Sequence, residues 1–153
     1  MILSDISIRN LCTGPDFHAS IVKHLGGDIA QVTRLVESSK PMIVPFVGES
    51  IKVGNDGKRI TSYGLSSYGY DVRLAPTFKV FSNASGDVID PLNMSGDYYR
   101  DVEGDSVVLP PNSYLLGHTI ESFNIPENIM TICIGKSTWA RAGVIVNVTP
   151  IEA

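Results

Sequence analysis

After Asp105 the chain carries only two basic side chains besides histidine, Lys136 and Arg141, and both fall within the stretch Gly135–Arg141 (GKSTWAR). Ser137 and Thr138 lie between them. An ammonium, a guanidinium and two hydroxyls this close together suit a phosphate, because charged donors make the stronger hydrogen bonds to its oxygens. A helical turn starting at Ser137 would set Ser137 and Arg141 at i and i+4, on one face. Its open N–H groups would attract anions, and Gly135 would let backbone approach a ligand closely. Spacing alone leaves a second reading open, a surface turn whose Lys136 and Arg141 are simply solvated.

Two neighbouring chemistries fail on spacing. A Walker phosphate loop needs a glycine five positions before Gly135, where this chain has Met130. Zinc-dependent base deamination needs a His-x-Glu and a Pro-Cys-x-x-Cys, since a metal must activate the water. His118 is followed by Glu121 at the wrong interval, and there is no Cys-x-x-Cys. Cys12 and Cys133 read as two reduced core thiols, so any hydrolysis is expected to run without protein-bound zinc and no metal site is assigned. Asp87, Asp90, Asp97, Asp101, Glu103 and Asp105 face only Arg100 in their stretch. They lack the order of a calcium hand and read as a solvated loop between strands.

The elements that must carry these residues divide unevenly. Ser4 can cap a first helix in which Ile8, Leu11 and Cys12 share a face, ending at Gly14-Pro15. Ile21 and Leu25 have helical spacing before Gly26-Gly27, and Asp28 can cap a third piece with Ile29, Val32 and Val36 on one face. From residue 41 the runs are short, β-rich and punctuated by Gly, Pro, Asn and Ser, as in an all-β sandwich or barrel. Tyr70–Leu74 alternates apolar and charged residues, so Asp71 and Arg73 would share the face opposite the buried one. Further strands are expected at Phe78–Phe81, Val107–Leu109, Ser113–Thr119, Ile129–Ile134 and Val144–Thr149. Tyr68 and Tyr70 read equally as strand aromatics or as base-stacking residues.

Composition bounds the rest. At 153 residues the chain has the length of one domain, and 43% hydrophobic against 18% charged residues can bury a core. A net charge of −4 argues against a nucleic-acid polymer as partner. No apolar stretch reaches membrane-spanning length and the N-terminus lacks a signal-peptide pattern, so the expectation is a cytoplasmic protein without a membrane partner.

Four segments carry a resemblance more specific than this spacing: Ser66–Arg73 (SSYGYDVR), Val88–Pro91 (VIDP), Pro110–Ser113 (PPNS) and above all Ile134–Pro150 (IGKSTWARAGVIVNVTP). Together they resemble the dCTP deaminases, which share a fold with the trimeric dUTPases. The likeness covers the first helix and then runs from about Met42 to Ala153; residues 13–41 read as a helical insertion. The resemblance implies a mainly β fold, a distorted barrel or jelly roll of the dUTPase-like kind with short N-terminal helices. It implies hydrolytic deamination of dCTP to dUTP and ammonia in a homotrimer with sites between subunits, magnesium arriving on the triphosphate. Lys136, Ser137 and Thr138 would contact the phosphates, Ser137 and Arg141 would line the pocket where the cytosine amidine meets water, and Thr149 and Pro150 would offer backbone groups near the base. Asp71 and Arg73 match the strand motif but read equally well as a structural pair.

The family's general base is a Glu on a strand beyond the Thr-Pro segment, expected here past Ala153. Glu152 precedes that strand and is not its counterpart. On this reading residues 1–153 form a single dUTPase-like domain that is C-terminally incomplete and, taken alone, a poor catalyst. Two rival activities stand beside it: dUTP diphosphatase, alone or in a bifunctional enzyme, and a non-catalytic nucleotide-binding trimer. The diphosphatase would need an Asp soon after Val144–Val148, where this chain has Thr149-Pro150-Ile151.

Overall fold

A computed structural model of the chain describes residues 2–13, 40–82, 88–93 and 98–152. Helix α1 (Asp5–Thr13) begins where expected: Ser4 Oγ accepts the Ser7 N–H at 3.4 Å and the Ser4 carbonyl accepts the first helical bond, from Ile8, at 3.0 Å. Ile8 and Cys12 of its apolar face are buried. The second and third helical pieces, between Ile21 and Val36, lie outside the described residues.

The chain is mainly β, as expected, and its described strands form four separate antiparallel sheets. Strands β1 (Ile43–Val44) and β8 (Ser122–Phe123) make one pair; β2 (Ser50–Val53), β3 (Arg59–Ser66) and β4 (Gly69–Asp71) make a three-stranded sheet. Strands β9 (Thr131–Cys133) and β10 (Thr149–Ile151) pair across α2 (Ser137–Arg141), while β6 (Tyr99–Glu103), β5 (Leu74–Phe81) and β7 (Leu115–Thr119) form a second three-stranded sheet with β5 central. Short antiparallel strands of this kind fit the dUTPase-like class.

The fold gathers into two compact units. In the unit of residues 1–72 and 121–153 the core is Ile8, Cys12, Met42, Ile43, Leu65 and Ile125, with Leu3, Phe46, Tyr70 and Ile151 packed around it. Tyr70 serves this core: its ring stacks on Phe46 with centroids 5.8 Å apart and its hydroxyl accepts the Val47 N–H at 3.0 Å. Tyr68 at the β3–β4 turn is exposed. In the unit of residues 73–120, Ala75, Phe78 and Val80 of β5 are buried, and Phe81 stacks on Tyr114 at 4.6 Å.

Several expected strands come out differently. Tyr70–Leu74 is not continuous, because β4 ends at Asp71 and β5 starts at Leu74; Val72 and Leu74 are exposed, so alternation there does not mark a buried face. Val107–Leu109 forms no ladder, and of Val144–Thr149 only Thr149 enters a strand. The acidic stretch is not all loop. Tyr99–Glu103 is β6, whose Asp101 lies opposite Lys79 and pairs with it at 2.8 Å, so a cross-strand cation offsets the charge. Asp87 and Asp97 lie outside the described residues.

Candidate functional site

Strand β9 delivers the chain to Lys136, which has extended backbone (φ −81°, ψ 140°), and α2 follows for five residues. A helix this short cannot persist on propensity, so what closes it matters. Gly143 has φ +80°, a conformation that costs other residues, and it lets two bonds form: its N–H to the Ala140 carbonyl at 3.0 Å and the Val144 N–H to the Trp139 carbonyl at 3.0 Å. These are the paired bonds of a Schellman closure. The chain then returns so that Thr149 and Pro150 of β10 lie opposite Cys133 and Ile132 of β9. Gly135 does permit a close approach, and the neighbour it admits is Val146 on the returning segment, 3.3 Å from where a Cβ would sit.

Ser137 and Arg141 therefore occupy one helical turn as expected, with Thr138 beside them and Thr149 and Pro150 on the adjacent strand. All five are exposed. Among the described residues the Arg141 guanidinium makes no hydrogen bond or ion pair, which leaves its donors open. Among the described residues these five side chains lie on the surface of this chain. A separate open groove of about 560 Å³ is lined by Glu127, Asn128, Ile129, Met130 and Glu152, and by none of the expected site residues.

Lys136 is not simply solvated: it is engaged within the chain. Its ammonium forms an ion pair with Asp71 Oδ2 at the end of β4 and donates to Ser62 Oγ of β3 at 2.6 Å. The Ser62 hydroxyl in turn donates to the same Asp71 oxygen at 3.0 Å. The ion pair of Asp71 is thus with Lys136, a residue the structural reading of Asp71 and Arg73 did not include. Ser62 escaped the sequence reading because β3 did; the signal available was the β-rich run Arg59–Ser66 leading into the Ser67-Tyr68 turn.

Among the described residues no group of three or more His, Cys, Asp or Glu side chains is placed to hold a metal ion. Burial pushes the Cys12 thiol up to about 11, against a weaker opposing hydrogen bond from the Ile43 backbone, so this cysteine is a poor nucleophile. No described helix is long and apolar enough to cross a membrane.

Comparison with known proteins points the same way as the motif. Residues 29–153 match the family model described as dCTP deaminase-like. Proteins named dCTP deaminase from Paraburkholderia xenovorans (strain LB400) and Burkholderia cenocepacia (strain HI2424) are each 49% identical over 121 residues, 79% of this chain and 64% of the relative. The chain thus spans about 64% of the length of the curated relatives it matches.

Proposed function

Because the chain belongs to the dCTP deaminase-like family, we propose that it acts in the hydrolytic deamination of dCTP, in which water and dCTP give dUTP and ammonia. The observation that carries this reading is the turn Lys136–Arg141: a motif of the family, closed by its own Schellman bonds, with Ser137 and Arg141 on one helical turn.

In this scheme water adds to C4 of the cytosine ring, the exocyclic nitrogen leaves as ammonia and a carbonyl remains. Ser137 and Arg141 border the amidine; the hydroxyl orients the water and the guanidinium stabilises charge that develops as the ring accepts it. Lys136, Ser137 and Thr138 hold the triphosphate, which brings magnesium with it. Thr149 and Pro150 supply carbonyl groups toward the base, supported by their pairing with the strand that leads into α2. We assign the general base to a glutamate beyond Ala153, following the family resemblance.

The same reading makes the working unit a homotrimer. The exposure of α2 supports it, as does the apolar surface beside it, where Ile134, Ile145 and Val148 are 67%, 91% and 63% exposed. The two cysteines are free and the net charge is −4, which suits work on a small nucleotide in the cytoplasm.

The test is an assay for ammonia released from dCTP with magnesium and no added zinc, alongside calorimetric binding of dCTP. Arg141→Ala should weaken binding or turnover about 10- to 100-fold, the loss of one charged hydrogen bond to a buried partner. Unchanged values in that variant would return Arg141 to a solvated role. Pyrophosphate released from dUTP, with no ammonia from dCTP, would move the assignment to diphosphate hydrolysis.

A further inference from the structure

Resting on the nucleotide reading and deepening it, we infer that Asp71 and Ser62 are positioning residues that govern how the Lys136 ammonium meets the phosphates. Lys136, Asp71 and Ser62 form a closed triangle: ammonium to carboxylate, ammonium to hydroxyl, and hydroxyl to carboxylate. The Lys136 and Asp71 side chains are only 30% and 28% exposed, so the pair is less screened than an ion pair on an open surface.

An ammonium has three N–H donors and no acceptor. Two are committed here, to Asp71 and Ser62, which leaves one for a phosphate oxygen. A free lysine is a point charge on a flexible stem; this one is held by two strands of the β2–β3–β4 sheet at the moment its backbone enters α2. The pair also sums to zero charge. A phosphate arriving at Lys136 meets a directed hydrogen bond more than a full positive charge.

This offset of charge separates the device from a plain structural tie. Asp71→Asn keeps the shape of the side chain and removes its charge, so the Lys136 charge is no longer offset. The binding of inorganic tripolyphosphate, measured by calorimetry on the full chain, should tighten about fivefold, the effect of one unit charge at about 4 Å in a water-like medium. Its dependence on ionic strength should steepen. Ser62→Asp sets a second carboxylate against the same ammonium and should weaken binding by a comparable factor. Far-ultraviolet circular dichroism checks that each variant is folded, and either one alone decides the matter. Affinity that is unchanged or weaker in folded Asp71→Asn, or unchanged in Ser62→Asp, overturns the inference and leaves the nucleotide reading standing. If the unaltered chain binds neither tripolyphosphate nor dCTP, both fall.

Discussion

Replacing Gly64 by alanine puts a methyl group where the backbone leaves no room for one. Gly64 lies in β3 between Ser50 of β2 and Asp71 of β4, with φ +96°. A Cβ there would stand 2.2 Å from the Glu49 carbonyl oxygen and 3.2 Å from that of Val47. Both neighbours are main chain, so neither can turn aside. Adopting a positive φ costs an L-residue about 1 to 2 kcal/mol. Moving the 47–49 segment away also endangers the bond from the Leu65 N–H to the Val47 carbonyl, 3.0 Å long beside a buried side chain. An unmade bond of that kind costs about 1 to 3 kcal/mol, so the total is about 2 to 5 kcal/mol. For a chain of this size each kcal/mol lowers Tm by roughly 2 to 4 °C, which predicts a drop of roughly 4 to 20 °C in a thermal melt followed by circular dichroism. Gly57→Ala is the control. It has φ +76° but nothing within 4 Å of its Cβ, so it bears the strain without the collision. Equal shifts for the two variants, or a Gly64→Ala melt within about 2 °C of the parent, would refute the reasoning. The consequence reaches the site, because Gly64 sits opposite Asp71, the residue that holds Lys136.

Other expectations follow from burial and charge. With its thiol pushed up to about 11 from 9.0, Cys12 should resist iodoacetamide at pH 8 in the folded chain, while half-exposed Cys133 is alkylated; mass spectrometry of the labelled peptides tells the two apart. The unfolded thiol ionises from about pH 9 and the folded one does not until about 11, so the protonated native form loses stability as pH rises through that window, by up to about 1.4 kcal/mol per pH unit. Urea titrations should show that slope in the parent chain relative to Cys12→Ala, and parallel slopes would contradict it. Val80, 2% exposed in β5, should cost about 2 kcal/mol on truncation to alanine, read from the urea midpoint at unchanged m-value.

Residues close in sequence account for what could be read without coordinates. The Ser4 cap and the Ile8 and Cys12 face of α1, and the placing of Ser137 and Arg141 on one turn, depend on intervals of three or four residues, which a helix converts directly into geometry. The composition of the second part likewise announced short strands, since β-branched and aromatic runs between turn residues have few other uses. What the sequence left undetermined is which strands meet. A period of two says that two faces exist; it does not say which is covered, and at Tyr70–Leu74 the apolar positions 72 and 74 proved exposed. The acidic stretch entered a sheet as β6 by pairing along β5, which sets Asp101 opposite Lys79, 22 residues away. Lys136 shows the same limit at the site itself. Its motif announces a cation for a ligand, yet its charge is held by Asp71 and Ser62, 65 and 74 residues away. Only tertiary structure decides such partners, because an ion pair depends on distance in space, and strand register sets that distance through contacts no local pattern encodes.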